Sequence, residues 1–203
     1  MRNKKFVLAF AALMVVALTT GCAKPPQQEI DAAKAAVSAA EAAQAAKYAP
    51  EAWDKAQQAM NAVNAEVEAQ AQKFALFRSY TKAKELVAAA TTAAGEAQAA
   101  AVAGKEKAKN DAQVAIDAAK AVVAEAVTAL EDLGKCKRQP KDFKKDLEMM
   151  KGNLDGLAAQ VTGIESAFAG EDFFGAKAQA ESLKAQVDTL KTDMDGAKAK
   201  IKC

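Results

Sequence analysis

Cysteine thiols, side-chain carboxylates and lysine ammonium groups are the reactive side chains of this 203-residue chain, which contains no histidine at all. Without imidazole, the commonest general base and metal ligand is missing. The carboxylate pairs Glu131-Asp132 and Glu171-Asp172 are neighbours in sequence, so they do not converge on one helix face. They read as solvated groups at helix ends. Gly104-Lys105 lacks the rest of a phosphate-binding loop, and no serine stands in a nucleophile elbow. With no nucleophile–base pair to assemble, the sequence predicts no enzyme, no metal site and no cofactor. The densest charge is Lys135, Lys137, Arg138, Lys141, Lys144 and Lys145, to which Lys198, Lys200 and Lys202 would return in a folded hairpin. These residues favour a plain reading, in which lysines near helix C-termini complement the dipoles and the rest are solvating. The other reading is an electrostatic contact with an anionic partner.

The elements that would carry these groups are all helical. Alanine makes up about a quarter of the chain, far above ordinary usage, and aromatics only 5%. Alanine favours helix but buries little area, so its core is a thin seam between close helices. No alternating β-branched run marks a strand. The formal charge of +2 rests on Arg2, Lys4 and Lys5, and the remainder is near neutral with interspersed signs, which gives no support for nucleic-acid binding.

The organising stretch is Ser79 to Leu133, which predicts one helix of roughly 80 Å at ~1.5 Å per residue. Its apolar positions step by three and four through Tyr80, Ala83, Val87, Ala90, Ala94, Ala97 and Ala101, then through Ala112, Ala115, Ala119, Val122, Ala126, Ala129 and Leu133. Between these runs the seam slips near Gly104 and Asn110. A first helix spans about Gln28 to Tyr48 through Ile30, Ala33, Val37 and Ala40. A second opens at Pro50 with Trp53, Ala56, Met60, Val63, Val67 and Phe74 on its seam. A tight turn at Phe77-Arg78-Ser79, with Ser79 as N-cap, is expected to separate it from the long helix; no glycine or proline marks that turn, so the alternative is one continuous helix. After Gly134 and the basic connection, helix four carries Phe143, Leu147, Met150, Leu154, Leu157, Val161, Ile164 and Phe168. Helix five follows a turn at Ala169 to Asp172, with Ala176, Ala180, Leu183, Val187, Leu190, Met194, Ala197 and Ile201. The predicted fold is all-α: an elongated antiparallel helical bundle, with two three-helix segments sharing one long central helix.

The first residues read as an export signal. Arg2, Lys4 and Lys5 precede an apolar run, Phe6 to Leu18, that is too short for a comfortable membrane span. Leu18-Thr19-Thr20-Gly21-Cys22 resembles the lipobox of bacterial lipoproteins, in which a cysteine receives lipid after cleavage before it. The resemblance implies lipidation of Cys22. Ala23 in place of an aspartate further implies the periplasmic face of the outer membrane. The stretch from Ile30 to about Ala101, with Tyr48-Ala49-Pro50-Glu51 and Ser79-Tyr80-Thr81-Lys82-Ala83, resembles an uncharacterised domain of alanine-rich helical-hairpin lipoproteins, some fused to OmpA-like domains. That family implies no known reaction.

The expected organisation is a signal peptide over 1–21, lipidated cysteine and tether over 22–28, an alanine-rich segment over 29–103 and a heptad-patterned segment over 104–203. In an oxidising compartment, with Cys22 lipidated, Cys136 and Cys203 are the remaining thiols. The turn near Gly170 lies midway between them, so two helices of equal length predict a Cys136–Cys203 disulfide. The expected role is a structural, spacer or interaction element joined to the membrane by its lipid, with the cell wall or another envelope protein as partner. The alternative is a carrier or adaptor binding a small or lipid ligand between helices, for instance in a pocket of Trp53, Phe74 and Phe77. A third, an oligomeric coiled coil resembling murein lipoprotein, fits less well, since that family ends in a wall-linked lysine. The oligomeric state is open.

Overall fold

The computed structural model describes residues 23–137 and 140–201, so Cys22, Arg138 and Cys203 lie outside the described residues. Every regular element among those residues is helical: α1 (Gln27–Ala42), α2 (Ala45–Tyr48), α3 (Pro50–Ala71), a short 3-10 turn (Ala75–Phe77), α4 (Thr81–Lys135), α5 (Phe143–Ala169) and α6 (Phe173–Ile201). The chain divides into two compact units between Gly104 and Lys105, a point inside α4.

In the first unit, α1, α3 and the residues of α4 up to Gly104 form the bundle. Its centre is Ile30 and Ala33 from α1, Met60 and Val63 from α3, and Val87 and Ala90 from α4, with Val37, Val67 and Leu86 packed around them. Along α4, Ala83, Ala90, Ala94, Ala97 and Ala101 are completely buried. The seam therefore rests on methyl groups, which is what lets the helices approach closely. Pro50 occupies the first turn of α3, where its missing N–H costs nothing.

Two expectations for this unit are corrected. The first helix is not continuous to Tyr48. It ends at Ala42, and Gln44 takes a left-handed conformation, φ 61°, before α2 begins. An unbroken three-four seam would have carried Gln44 and Lys47 inward after Ala40. The break rephases the chain so that Ala45 and Tyr48 are buried instead. The second helix does not carry Phe74 in its seam. It stops at Ala71, because the seam position after Val67 is Gln70, whose buried amide turns to hydrogen bonding, and Phe74 lies outside at 69% exposure.

In the second unit, α4 from Lys105 onward, α5 and α6 pack together. α4 supplies Ala108, Ala112, Ile116, Ala119, Val122, Ala126 and Leu133; α5 supplies Phe143, Leu154 and Ile164; α6 buries Ala176, Ala180, Leu183, Val187, Leu190, Met194 and Ile201. Lys120 pairs with Glu165 and Lys191 with Glu125, bridging α4 to α5 and to α6. The apparent lapse in the α4 seam is filled by Gly104 and Ala108. The steps from Ala101 run three, four and four to Ala112, an eleven-residue interval that an α-helix accommodates without breaking.

The α5–α6 turn is closed by hydrogen bonds from Glu171 N–H to the Phe168 carbonyl at 3.0 Å and from Asp172 N–H to the Ala167 carbonyl at 2.9 Å. Glu171, φ 60°, holds the left-handed position that glycine usually takes, while Gly170 just before it has φ −79°. Asp172 then caps α6, its Oδ1 accepting the Gly175 N–H at 3.3 Å.

Candidate functional site

Among the described residues, no group of three or more Cys, Asp or Glu side chains is placed to hold a metal ion, and no helix is long and apolar enough to cross a membrane. Every buried side-chain nitrogen or oxygen in that part of the chain has a hydrogen-bond partner. Trp53 opens α3 while Phe74 and Phe77 follow its far end, separated by about 27 Å of helix. The structure does not bring these three together as one pocket.

The basic cluster sits where α4 ends and α5 begins. Lys135 forms an ion pair with Asp132 at 3.3 Å, in the last turn of α4 where a cation suits the dipole. Lys137, Lys141, Lys144 and Lys145 are exposed, and Arg138 is outside the described residues. Asp142 and Asp146 stand among them. Cys136 is buried, 6% exposed, at the end of α4. Pro140 and Phe143 share a groove with Ala197, Lys200 and Ile201, so α6 returns its end to the start of α5.

Where the sequence predicts a tight turn at Phe77-Arg78-Ser79, the connection between α3 and α4 is longer, running from Ala71 to Thr81, and its apolar exposure is the feature that sequence reading did not single out. Phe74, Leu76 and Phe77 are 69%, 65% and 76% exposed there, and the two phenyl rings lie 6.3 Å apart. The loop is held by its polar side chains. Arg78 donates from Nε to the Lys73 carbonyl at 2.9 Å and from Nη2 to the Ala71 carbonyl at 2.8 Å. The bond to Ala71 occupies a carbonyl that the end of α3 leaves without a helical partner, and the bond to Lys73 fastens the loop itself. Gln70 accepts the Ser79 N–H at 3.1 Å and donates to Glu66 at 2.7 Å. That second bond, with Lys82 nearby at 3.4 Å, holds the Glu66 carboxyl below its ordinary range. Ser79 is not the N-cap of α4: the helix begins at Thr81, and the Tyr80 carbonyl accepts the Lys84 N–H at 3.0 Å.

The loop lies at the end of the first unit where α1 starts. Ile30, three residues into α1, packs against Val63 and Val87, and Glu29 pairs with Lys84 at 4.0 Å. Beyond Val63, α3 continues for about 12 Å to Ala71, whereas α1 extends only about 5 Å from Ile30 back to Gln27. The loop therefore projects past the start of α1. From Ala69 to Lys84 the chain contains Lys73, Arg78, Lys82 and Lys84 and no acidic residue. The signal available in the sequence was Gln70, a polar residue on an apolar seam, since Phe74 and Phe77 continue the three-four spacing beyond it. Compared with protein-family models, curated proteins and solved structures, the chain matches none of them.

Proposed function

We propose that the chain is a lipid-anchored envelope protein, held through Cys22 at the periplasmic face of the outer membrane, with a non-catalytic structural or protein-interaction role. The observation that carries this reading is Leu18-Thr19-Thr20-Gly21-Cys22 placed directly after a basic end and a short apolar run. The same reading makes the chain a relative of the alanine-rich helical-hairpin lipoproteins. An alanine-lined bundle supports a spacer or interaction role over a carrier, because methyl seams leave little room for a ligand between helices. Export into an oxidising compartment supports a Cys136–Cys203 bond. The burial of Cys136 and of Ile201, and the groove that joins Pro140 and Phe143 to Ile201, are consistent with that pairing.

Inhibition of signal peptidase II with globomycin should accumulate the precursor, and Cys22→Ala should release the protein from membranes. Normal processing and unchanged membrane association of that variant would overturn the reading.

A further inference from the structure

We infer that the Phe74–Phe77 loop is a second membrane contact, which lays its apolar side chains into the headgroup–acyl boundary of the bilayer and its lysines against anionic headgroups. The inference rests on the anchoring reading for where the bilayer lies, and on the structure for everything else.

Three large apolar residues at one loop tip are unusual on a solvated surface, where exposed hydrophobics normally occur singly. They are not exposed by looseness. Arg78 clamps the loop through two main-chain carbonyls and Gln70 ties its far side to α3, so the rings are held outward by the hydrogen bonds beneath them. Lys82 and Lys84 stand in the first turn of α4, paired with Glu66 at 3.4 Å and Glu29 at 4.0 Å, yet both lysine side chains stay largely exposed, at 69% and 63%, and within reach of headgroups. Lys73 and Arg78 bracket the apolar tip in the pattern of an interfacial anchor, with aromatic and aliphatic side chains inward and basic groups at headgroup level.

The position of the loop selects the bilayer as its occupant. Residues 23–26 are all that separates Cys22 from α1, a reach of at most about 18 Å over the five steps to Gln27. A lipid on Cys22 therefore holds this end of the first unit at the membrane surface, and the loop extends past the start of α1 in the same direction. The consequence is orientation. A lipid at one point leaves the unit free to pivot on it, and a second contact restrains it.

Trp53, the single tryptophan, lies at the opposite end of α3 and serves as the internal control. The full lipidated chain, purified from envelopes, is reconstituted into phosphatidylethanolamine–phosphatidylglycerol vesicles brominated high on the acyl chain. Two forms are compared, the natural protein and the double variant Phe77→Trp, Trp53→Phe. Flotation measures binding, and mass analysis of the N-terminal peptide measures lipid on Cys22. The expected result is that the position-77 reporter emits at shorter wavelength and loses roughly half or more of its intensity to bromine, at the 5–10 Å depth of an interfacial anchor, while Trp53 is unaffected. A vesicle-bound variant with water-like, unquenched emission overturns the inference and leaves the anchor standing. A blue-shifted but unquenched reporter also overturns it, because the loop is then covered by protein such as a second copy. Binding and quenching without lipid on Cys22 keep the loop contact and remove the anchor. Failure to bind vesicles removes both.

Discussion

Gly104 passes the carbonyl of Tyr48 so closely that a Cβ added at Gly104 would lie 2.3 Å from that oxygen. The obstacle is backbone, which cannot swing aside as a side chain does. Gly104→Ala should therefore destabilise the first unit by about 1–3 kcal/mol, the range for overpacking a tight contact. Gly95 lies on the same helix with nothing within 4 Å of such a Cβ, and Gly95→Ala should stabilise by up to about 1 kcal/mol. Urea unfolding of both variants checks the pair. A Gly104→Ala midpoint equal to that of the natural protein would contradict the close approach.

Glu171 and Gly170 occupy each other's expected places in the α5–α6 turn. Gly170→Ala should change stability by no more than about 0.5 kcal/mol, because a Cβ there meets only ordinary contacts at 3.4 and 3.5 Å. Glu171→Val should cost about 1–2 kcal/mol, since a branched side chain is forced into the left-handed region. Thermal melts that rank the two variants the other way would show that the glycine carries the turn.

A non-reduced peptide map of periplasm-derived protein should find Cys136 joined to Cys203. In the chain-entropy model, a loop of this size stabilises by about 4 kcal/mol, so reductant or Cys136→Ser should lower the unfolding midpoint to the same extent. Two free thiols, or Cys203 bonded only between chains, would refute the pairing.

Stability should be flat across neutral pH, because the chain has no histidine to titrate there. Gln70 and Lys82 hold the Glu66 carboxyl below 4.5. Its contribution is therefore complete above that value and is lost as pH falls through the lowered folded-state pKa. Glu165 and Glu125 raise Lys120 and Lys191 above 10.5, so those contributions persist through neutrality and are lost only as pH rises past the raised values. Glu66→Gln should soften the acid limb of a pH–stability profile and leave the alkaline limb unchanged.

The long helix was legible because its apolar steps are local and regular. The predicted Ser79–Leu133 and the observed Thr81–Lys135 differ by two residues at each end. The heptad positions of α6 were equally plain, with Ala176, Leu183, Val187, Leu190 and Met194 all buried. The break at Gln44 was not legible, because neither glycine nor proline marks it and the gain from it is tertiary: Tyr48 moves inward. The exposed loop was misread for a related reason. Phe74 fits the three-four spacing, yet α3 ends at Ala71, where the Gln70 and Arg78 side chains bond to the backbone of the turn. Of the three cysteines, Cys136 alone falls among the described residues.

The alanine lining of the first unit carries a thermodynamic consequence. Ala33, Ala40, Ala45, Ala56, Ala83, Ala90, Ala94, Ala97 and Ala101 are fully buried, and each hides a single methyl. Heat capacity on unfolding rises chiefly with apolar area exposed, so a core of methyls yields a small increment per residue. The stability curve of this unit should be broad and shallow, with cold denaturation pushed far from any accessible temperature. The mutational profile of the alanine seam should also be inverted. Shortening these alanines removes little, whereas enlarging any one of them to leucine wedges the helices apart, so along this seam overpacking is the damaging change.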